Sequence, residues 1–319
     1  MMEKIRLLEM KSEIAAGTRG SSMGIDALRI ASLNKKSNYF LRYPLQKIAD
    51  RNDLLWADNP TPFGIRIEGL VEVYQNVCDS VSRTLINEEF PIVLSADHGS
   101  AGGTIAGIKK AFPDKTLGVI WIDAHGDLHS PYTSPTGNMH GMPLATALGV
   151  DNEECKVNDV KEVTLQKWNE LKSIGGINPK ITPDNLVFFG VRDTESPEDF
   201  LMDKYGIKNF TVAETRGKGI EHAVKEALSM LTNCDILYVS FDVDSMDPDE
   251  VSYGTGTPVK DGYRPDEVKE MIKLIIQSKK VVAFEIVEIN PTLDNKCNKM
   301  AETAFKILEE TTRVIEENK

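Results

Sequence analysis

Cysteine and histidine are scarce, at four and five of 319 residues. Cys78, Cys155, Cys234 and Cys297 are scattered, with no CxxC pair and no framework spacing. That excludes a disulfide scaffold and a thiolate metal site, and reads as the reduced thiols of a cytoplasmic protein. No apolar run approaches the roughly 18 residues of a membrane-spanning helix, and the N-terminal MMEKIRLLEMKSEIAAG lacks the apolar core and cleavage site of a signal peptide. Positive charge is in deficit: 37 Lys and Arg against 49 Asp and Glu give a net charge of −12. This balance opposes nucleic acid or an anionic membrane as partner and suits a cationic small molecule. Internal repeats, low-complexity tracts and long linkers are also missing, so residues 1–319 are expected to form one domain.

What is present is a set of short, continuous apolar runs: PIVLSA (91–96), LGVIWI (117–122), NLVFFGV (185–191), ILYVSF (236–241) and VVAFEIV (281–287). Continuous rather than alternating, they predict strands buried on both faces, as in a parallel sheet. Helical spacing lies before, between and after them, over 66–86, 103–111, 219–232, 264–278 and 298–316. The alternation predicts an α/β fold of three layers, αβα, with a central, mostly parallel sheet.

Four of these strands run directly into acids or imidazoles: Asp97-His98, Asp123-Ala-His125-Gly-Asp127, Asp242-Val-Asp244 and Glu288. Ligands of open parallel sheets bind outside the carboxyl ends of the strands, so one edge would receive all of them. Asp242 and Asp244 would lie about 7 Å apart on one face of an extended chain, within the roughly 8 Å reach of ligands around two metal ions. Asp123 and Asp127 would be about 13 Å apart if extended, so the chain must bend, and Gly126 is the expected pivot. Four carboxylates balance two divalent ions, with His98 and His125 as neutral ligands. Oxygen-rich ligation with imidazole and no thiolate favours manganese over zinc. Each motif alone could be a capped loop; their arrival together at strand ends is what points to a metal site. Asp97 is expected to orient His98, and His222, in a helical EHAVKEAL pattern, to lie on the surface.

DAHGD (123–127), SFDVDSMDP (240–248) and VEINPTLD (287–294) also resemble the metal and substrate motifs of the ureohydrolase family. TSPTGNMHGMPL (133–144), EIAAGTRGSSMGIDALR (13–29) and GVRDTESPEDF (190–200) resemble its arginase branch in particular. The resemblance covers nearly the whole chain. It implies two Mn2+ per subunit, one held by His98, Asp123, Asp127 and Asp242, the other by Asp123, His125, Asp242 and Asp244, with Asp123 and Asp242 bridging. It further implies hydrolysis of a guanidinium group, L-arginine to L-ornithine and urea, by attack of a hydroxide bridging the metals. Asp127 would pass a proton to the departing amine, His140 would shuttle protons, and Glu288 would meet the guanidinium. Ser134, Thr136 and Asn138 fall where the branch binds the α-carboxylate, and Asp193, Glu195 and Glu198 where it binds the α-amino group. His129, which the resemblance also places among the substrate-binding residues, replaces the usual asparagine and Glu195 the usual aspartate, while SADHGSAGG departs from the usual GGDHS around the first histidine.

These departures keep a second substrate class open: another guanidino acid, agmatine or formiminoglutamate, although agmatine has no α-carboxylate for TSPTGN to meet. A mononuclear zinc deacetylase would not need His98, Asp127 and Asp242 together. A catalytically silent binding homologue would be expected to have lost ligands, and none is lost here. The family likeness also implies a homotrimer or homohexamer.

Overall fold

Eight strands form one wholly parallel sheet in the computed structural model, which describes residues 4–318; Met1–Glu3 of the N-terminal stretch and Lys319 lie outside them. The strands are β1 (Lys4–Met10), β2 (Leu45–Ile48), β3 (Glu89–Ser95), β4 (Leu117–Ile122), β5 (Leu186–Phe189), β6 (Lys208–Phe210), β7 (Ile236–Asp242) and β8 (Val281–Val287). Their order across the sheet is β2-β1-β3-β8-β7-β4-β5-β6. The chain thus fills the middle of the sheet last, inserting β7 and β8 between β3 and β4. The five expected strands are all present, displaced at most by a residue or two at their ends. β1, β2 and β6 were not anticipated.

The continuous apolar runs work because helices cover both faces. All six residues of β4 are buried, and successive side chains along a strand enter opposite cores. On β1, Leu7 joins the core beneath helices Gly24–Asn34, Pro265–Ile276 and Lys299–Glu317, whereas Leu8 joins the core beneath Ile67–Ile86 and Ala101–Ala111. The helices are amphipathic to match. In Lys299–Glu317, for example, Met300, Ala304, Leu308 and Ile315 face inward. Among the described residues, no helix is long and apolar enough to cross a membrane.

One packing detail places the first histidine. Helix Ala101–Ala111 starts just after His98 and rides close on helix Ile67–Ile86. A Cβ on Gly103 would sit 2.9 Å from the Tyr74 carbonyl oxygen, and one on Gly107 2.8 Å from that of Cys78. Only glycine permits backbones to approach so closely. The run GSAGGTIAG thereby fixes the helix start, and with it His98.

Candidate metal centre and substrate cleft

The four strands that end in acids or imidazoles are neighbours at the centre of the sheet, in the order β3-β8-β7-β4. Their carboxyl ends therefore converge on one point. His98 follows β3 through Asp97, Asp123 follows β4, Asp242 closes β7, and Glu288 follows β8. The backbone of Asp123 still pairs with the sheet, donating to the Phe189 carbonyl at 3.1 Å. It turns over the edge four residues later: Asp127 takes a left-handed φ of +51°. This corrects the expected pivot. Gly126 has no positive φ; a Cβ there would crowd Glu198 Oε1 at 3.0 Å.

Two clusters result, and they share Asp123. His98 Nδ1 lies 2.9 Å from Asp123 Oδ2 and 3.2 Å from Oδ2 of both Asp127 and Asp242. His125 Nδ1 lies 3.1 Å from Asp244 Oδ2 and 3.4 Å from Asp123 Oδ1. Ligand atoms at right angles around an ion with bonds of about 2.1 Å are about 3 Å apart, so both clusters have the spacing of a coordination sphere. The donors also lack other partners: His98 Nδ1, Asp123 Oδ2 and Asp127 Oδ2 are buried without a hydrogen bond, an arrangement whose cost a bound cation removes. Three other carboxylate oxygens are held by backbone amides. Asp123 Oδ1 accepts from His125 at 2.8 Å, Asp242 Oδ1 from Asp244 at 2.8 Å, and Asp244 Oδ1 from Ala124 at 3.2 Å. Thr257 Oγ1 donates to Asp244 Oδ2 at 3.0 Å.

Without cations this concentration of acid holds protons. Burial and the neighbouring Asp244 and Asp123 charges push Asp242 well above the usual carboxylate range, and burial with Asp123 raises Asp127. Burial opposes a charge on His98, yet the close carboxylates of Asp123, Asp127 and Asp242 hold its pKa well above normal. Burial likewise disfavours ionised Asp123, but the nearby His125 and His98 rings keep it low. As a set, the cluster retains protons that divalent cations would displace.

His98 is oriented from behind. Its Nε2 lies 2.7 Å from Ser240 Oγ on β7 and its ring stacks on Trp121 with centroids 4.0 Å apart. With Nε2–H donating to the hydroxyl, Nδ1 is left with its lone pair toward the aspartates. Asp97, expected in that role, instead accepts from the Ala15 amide at 3.0 Å. Its side chain thus ties the strand end to the N-terminal loop. Burial and the Glu288 charge raise its pKa to about 7. Ser240 was missed, although the two-residue period of a strand puts it on the same face as Asp242.

Above the clusters opens a cleft of about 260 Å³. His129, Ser134, Thr136, Asn138, Asp193, Glu195 and Glu198 all line it, as do His140 and the unanticipated Gly17 and Thr18. Glu198 is buried, its carboxylate accepting from the amides of Leu128 at 3.1 Å and Glu195 at 3.2 Å. Asp193 is exposed, with Oδ2 3.7 Å from His125 Nε2. His140 Nδ1 is 3.4 Å from Glu288 Oε1, which also accepts from the His98 amide at 2.9 Å. Burial lowers the His140 pKa, but the Glu288 bond and charge outweigh it and the net shift is upward. Glu288 itself is 2% exposed. His222 is on the surface, as expected.

Comparison with known proteins agrees with this geometry. The sequence model of the Arginase family matches residues 4–313. The chain is 31% identical to the arginase of Bacillus subtilis over 312 residues, covering 97% of both chains, and 33% identical to that of Brevibacillus brevis over 314 residues, again 97% of both. Among solved structures, Bacillus caldovelox arginase superposes with a TM-score of 0.81 at 30% identity, covering 97% of this chain and 98% of that one. A formimidoylglutamase of Bacillus subtilis, at 20% identity and a TM-score of 0.74, shares the fold alone. Fold, convergent His and Asp clusters and full-length similarity lead to one conclusion: the chain belongs to the arginase family and is an arginase-type hydrolase.

Proposed function

We propose that this protein hydrolyses the guanidinium group of L-arginine, giving L-ornithine and urea, with two manganese ions per chain. The observation that carries this reading is the pair of His and Asp clusters joined by Asp123 beneath a cleft whose rim is divided by charge. Asp193, Glu195 and Glu198 supply acids to its lining; Ser134, Thr136 and Asn138 supply neutral polar groups. A ligand with a cationic end toward the floor and both an ammonium and a carboxylate at the mouth matches that division.

In this reading His98, Asp123, Asp127 and Asp242 hold one ion, and Asp123, His125, Asp242 and Asp244 the other. Bound there, the ions supply Lewis acidity and activate water near neutral pH. Asp127 takes a proton from the attacking water and delivers it to the departing amine nitrogen. His140, one-fifth exposed at the cleft wall, exchanges protons between the site and solvent. Glu288 fixes the His140 ring through Nδ1 and presents negative charge toward a guanidinium. Burial in a narrow cleft strengthens each of these electrostatic interactions.

The test is hydrolysis by manganese-loaded protein of L-arginine, agmatine and 4-guanidinobutyrate, read as urea, and of formiminoglutamate, read as formamide. Arginine hydrolysis in clear excess over the others supports the reading; no urea from any guanidine with metal bound refutes it. Preference for another guanidino acid is the second reading, favoured by the unusual contact that His129 makes with Glu195.

A further inference from the structure

His129 was expected to touch substrate directly, but both of its ring nitrogens are already engaged. Nε2 lies 2.9 Å from Glu195 Oε2, and Nδ1 lies 3.1 Å from Thr133 Oγ1. The imidazole is itself immobile: its side chain is 8% exposed, and its backbone amide donates to the Gly141 carbonyl at 3.0 Å. Glu195 is the opposite case, with a side chain that is 56% exposed. It stands at the start of helix Ser196–Tyr205, on the cleft rim. A half-exposed glutamate is normally free to leave for solvent, since long side chains have much rotamer freedom to lose. Here a buried ring donates to it from a fixed position, beside the capping-box contact of its side chain with the Glu198 backbone at the helix start. A carboxylate only accepts, so Nε2 must be the donor.

The Glu195 carboxylate is thereby held beside Glu198, whose Oε2 lies 3.5 Å from the same Nε2. The Glu198 carboxylate is pinned by two backbone amides. Two carboxylates fixed together on one wall of a cleft form a receptor for an ammonium group. Ser134, Thr136 and Asn138, which line the same cleft, offer no charge.

We infer that His129 is a positioning residue: it tethers Glu195 in the cleft, so that selection for a substrate α-ammonium depends on the His129–Glu195 contact and not on any bond from His129 to substrate. This rests on the guanidino-acid reading above and specifies how that site discriminates. Fixing a recognition group before binding removes its ordering cost from the affinity.

The test compares L-arginine with desaminoarginine, the guanidino acid lacking only the α-amino group, in manganese-loaded wild type, His129→Asn and His129→Gln. The glutamine amide reaches the place of Nε2, whereas the asparagine amide reaches only that of Nδ1. His129→Asn is expected to raise KM for arginine about tenfold, the effect of losing one charge-assisted hydrogen bond, with kcat changed less than about twofold. For desaminoarginine the loss is expected to be several-fold smaller, and His129→Gln should recover most of the discrimination. Equal losses on both substrates, or a folded His129→Gln no better than His129→Asn, would overturn the tether. So would a third bound manganese that His129→Asn removes, since His129, Glu195 and Glu198 would then be a cation site. Wild type that releases no urea from arginine fails the hydrolysis reading and this one with it. Urea release with unaltered discrimination in the variants fails the tether alone.

Discussion

Replacing Ser240 with alanine tests how a buried hydroxyl controls His98, a proposed metal ligand. Ser240 Oγ is 2.7 Å from His98 Nε2, and both side chains are buried. The substitution leaves the ring N–H without an acceptor, at a cost of about 1–3 kcal/mol, and removes the reason for the proton to sit on Nε2. If it moves to Nδ1, the nitrogen facing Asp123, Asp127 and Asp242 becomes a donor and cannot bind an ion. Loss of such an orienting partner typically weakens metal affinity about 10–100-fold. The effect should be confined to one ion, because Ser240 makes no contact with His125. Manganese titration of metal-free Ser240→Ala by calorimetry, with chelator competition for the tight site, should therefore resolve two unequal sites, one near wild-type affinity. The thermal midpoint of the apo protein should fall modestly, and Ser240→Thr, which retains the hydroxyl, should restore both sites. Two unweakened sites in a folded Ser240→Ala protein would refute the orienting role. Equal weakening of both would show that the hydroxyl acts through the sheet, not through the imidazole.

Three other predictions bear on separate links of the account. Asp127→Asn should reduce turnover by at least about a hundredfold with the circular dichroism spectrum unchanged; near-normal activity would remove Asp127 from the proton path. Gly126→Ala places a Cβ 3.0 Å from Glu198 Oε1, so KM for arginine should rise severalfold with a destabilisation of about 1 kcal/mol or less; an unchanged KM would mean that Glu198 does not meet substrate. Lys180 is buried, donates to the Lys172 carbonyl, and has a pKa lowered to about 8 by burial. The unfolded chain therefore binds more protons between about pH 8 and 10.5, and stability from this group rises with pH by up to about 3 kcal/mol. Urea denaturation should show that rise reduced in Lys180→Met; equal slopes would mean Lys180 stays charged when folded.

Sequence made the centre of the sheet visible and its margins invisible, for a physical reason. The strands β3, β4, β5, β7 and β8 are sheathed on both faces, so selection for burial writes continuous apolar runs. β2 and β6 are three or four residues long, and β2 has only one buried residue. β1 carries Arg6 paired with Glu89, and a buried Glu9 paired with Arg29 at 3.0 Å, so charge interrupts its apolar pattern. The same holds for the site. Acids placed immediately after apolar strands are conspicuous, and all of those singled out converge near one sheet edge. What the sequence could not disclose was partnership. That Asp97 turns toward Ala15 while Ser240 meets His98, or that His129 takes Glu195, depends on side-chain directions set by tertiary packing. The bend at Asp127 was expected, but a glycine one residue earlier drew the assignment because conformational freedom is its commoner use. Here Gly126 serves close approach.

The most direct test of two ions sharing Asp123 is manganese titration of the metal-free protein followed by electron paramagnetic resonance. The account predicts saturation at two ions per chain, with the spectrum of an exchange-coupled pair about 3.5–4 Å apart. Saturation at a single ion, or two ions with independent spectra, would contradict it.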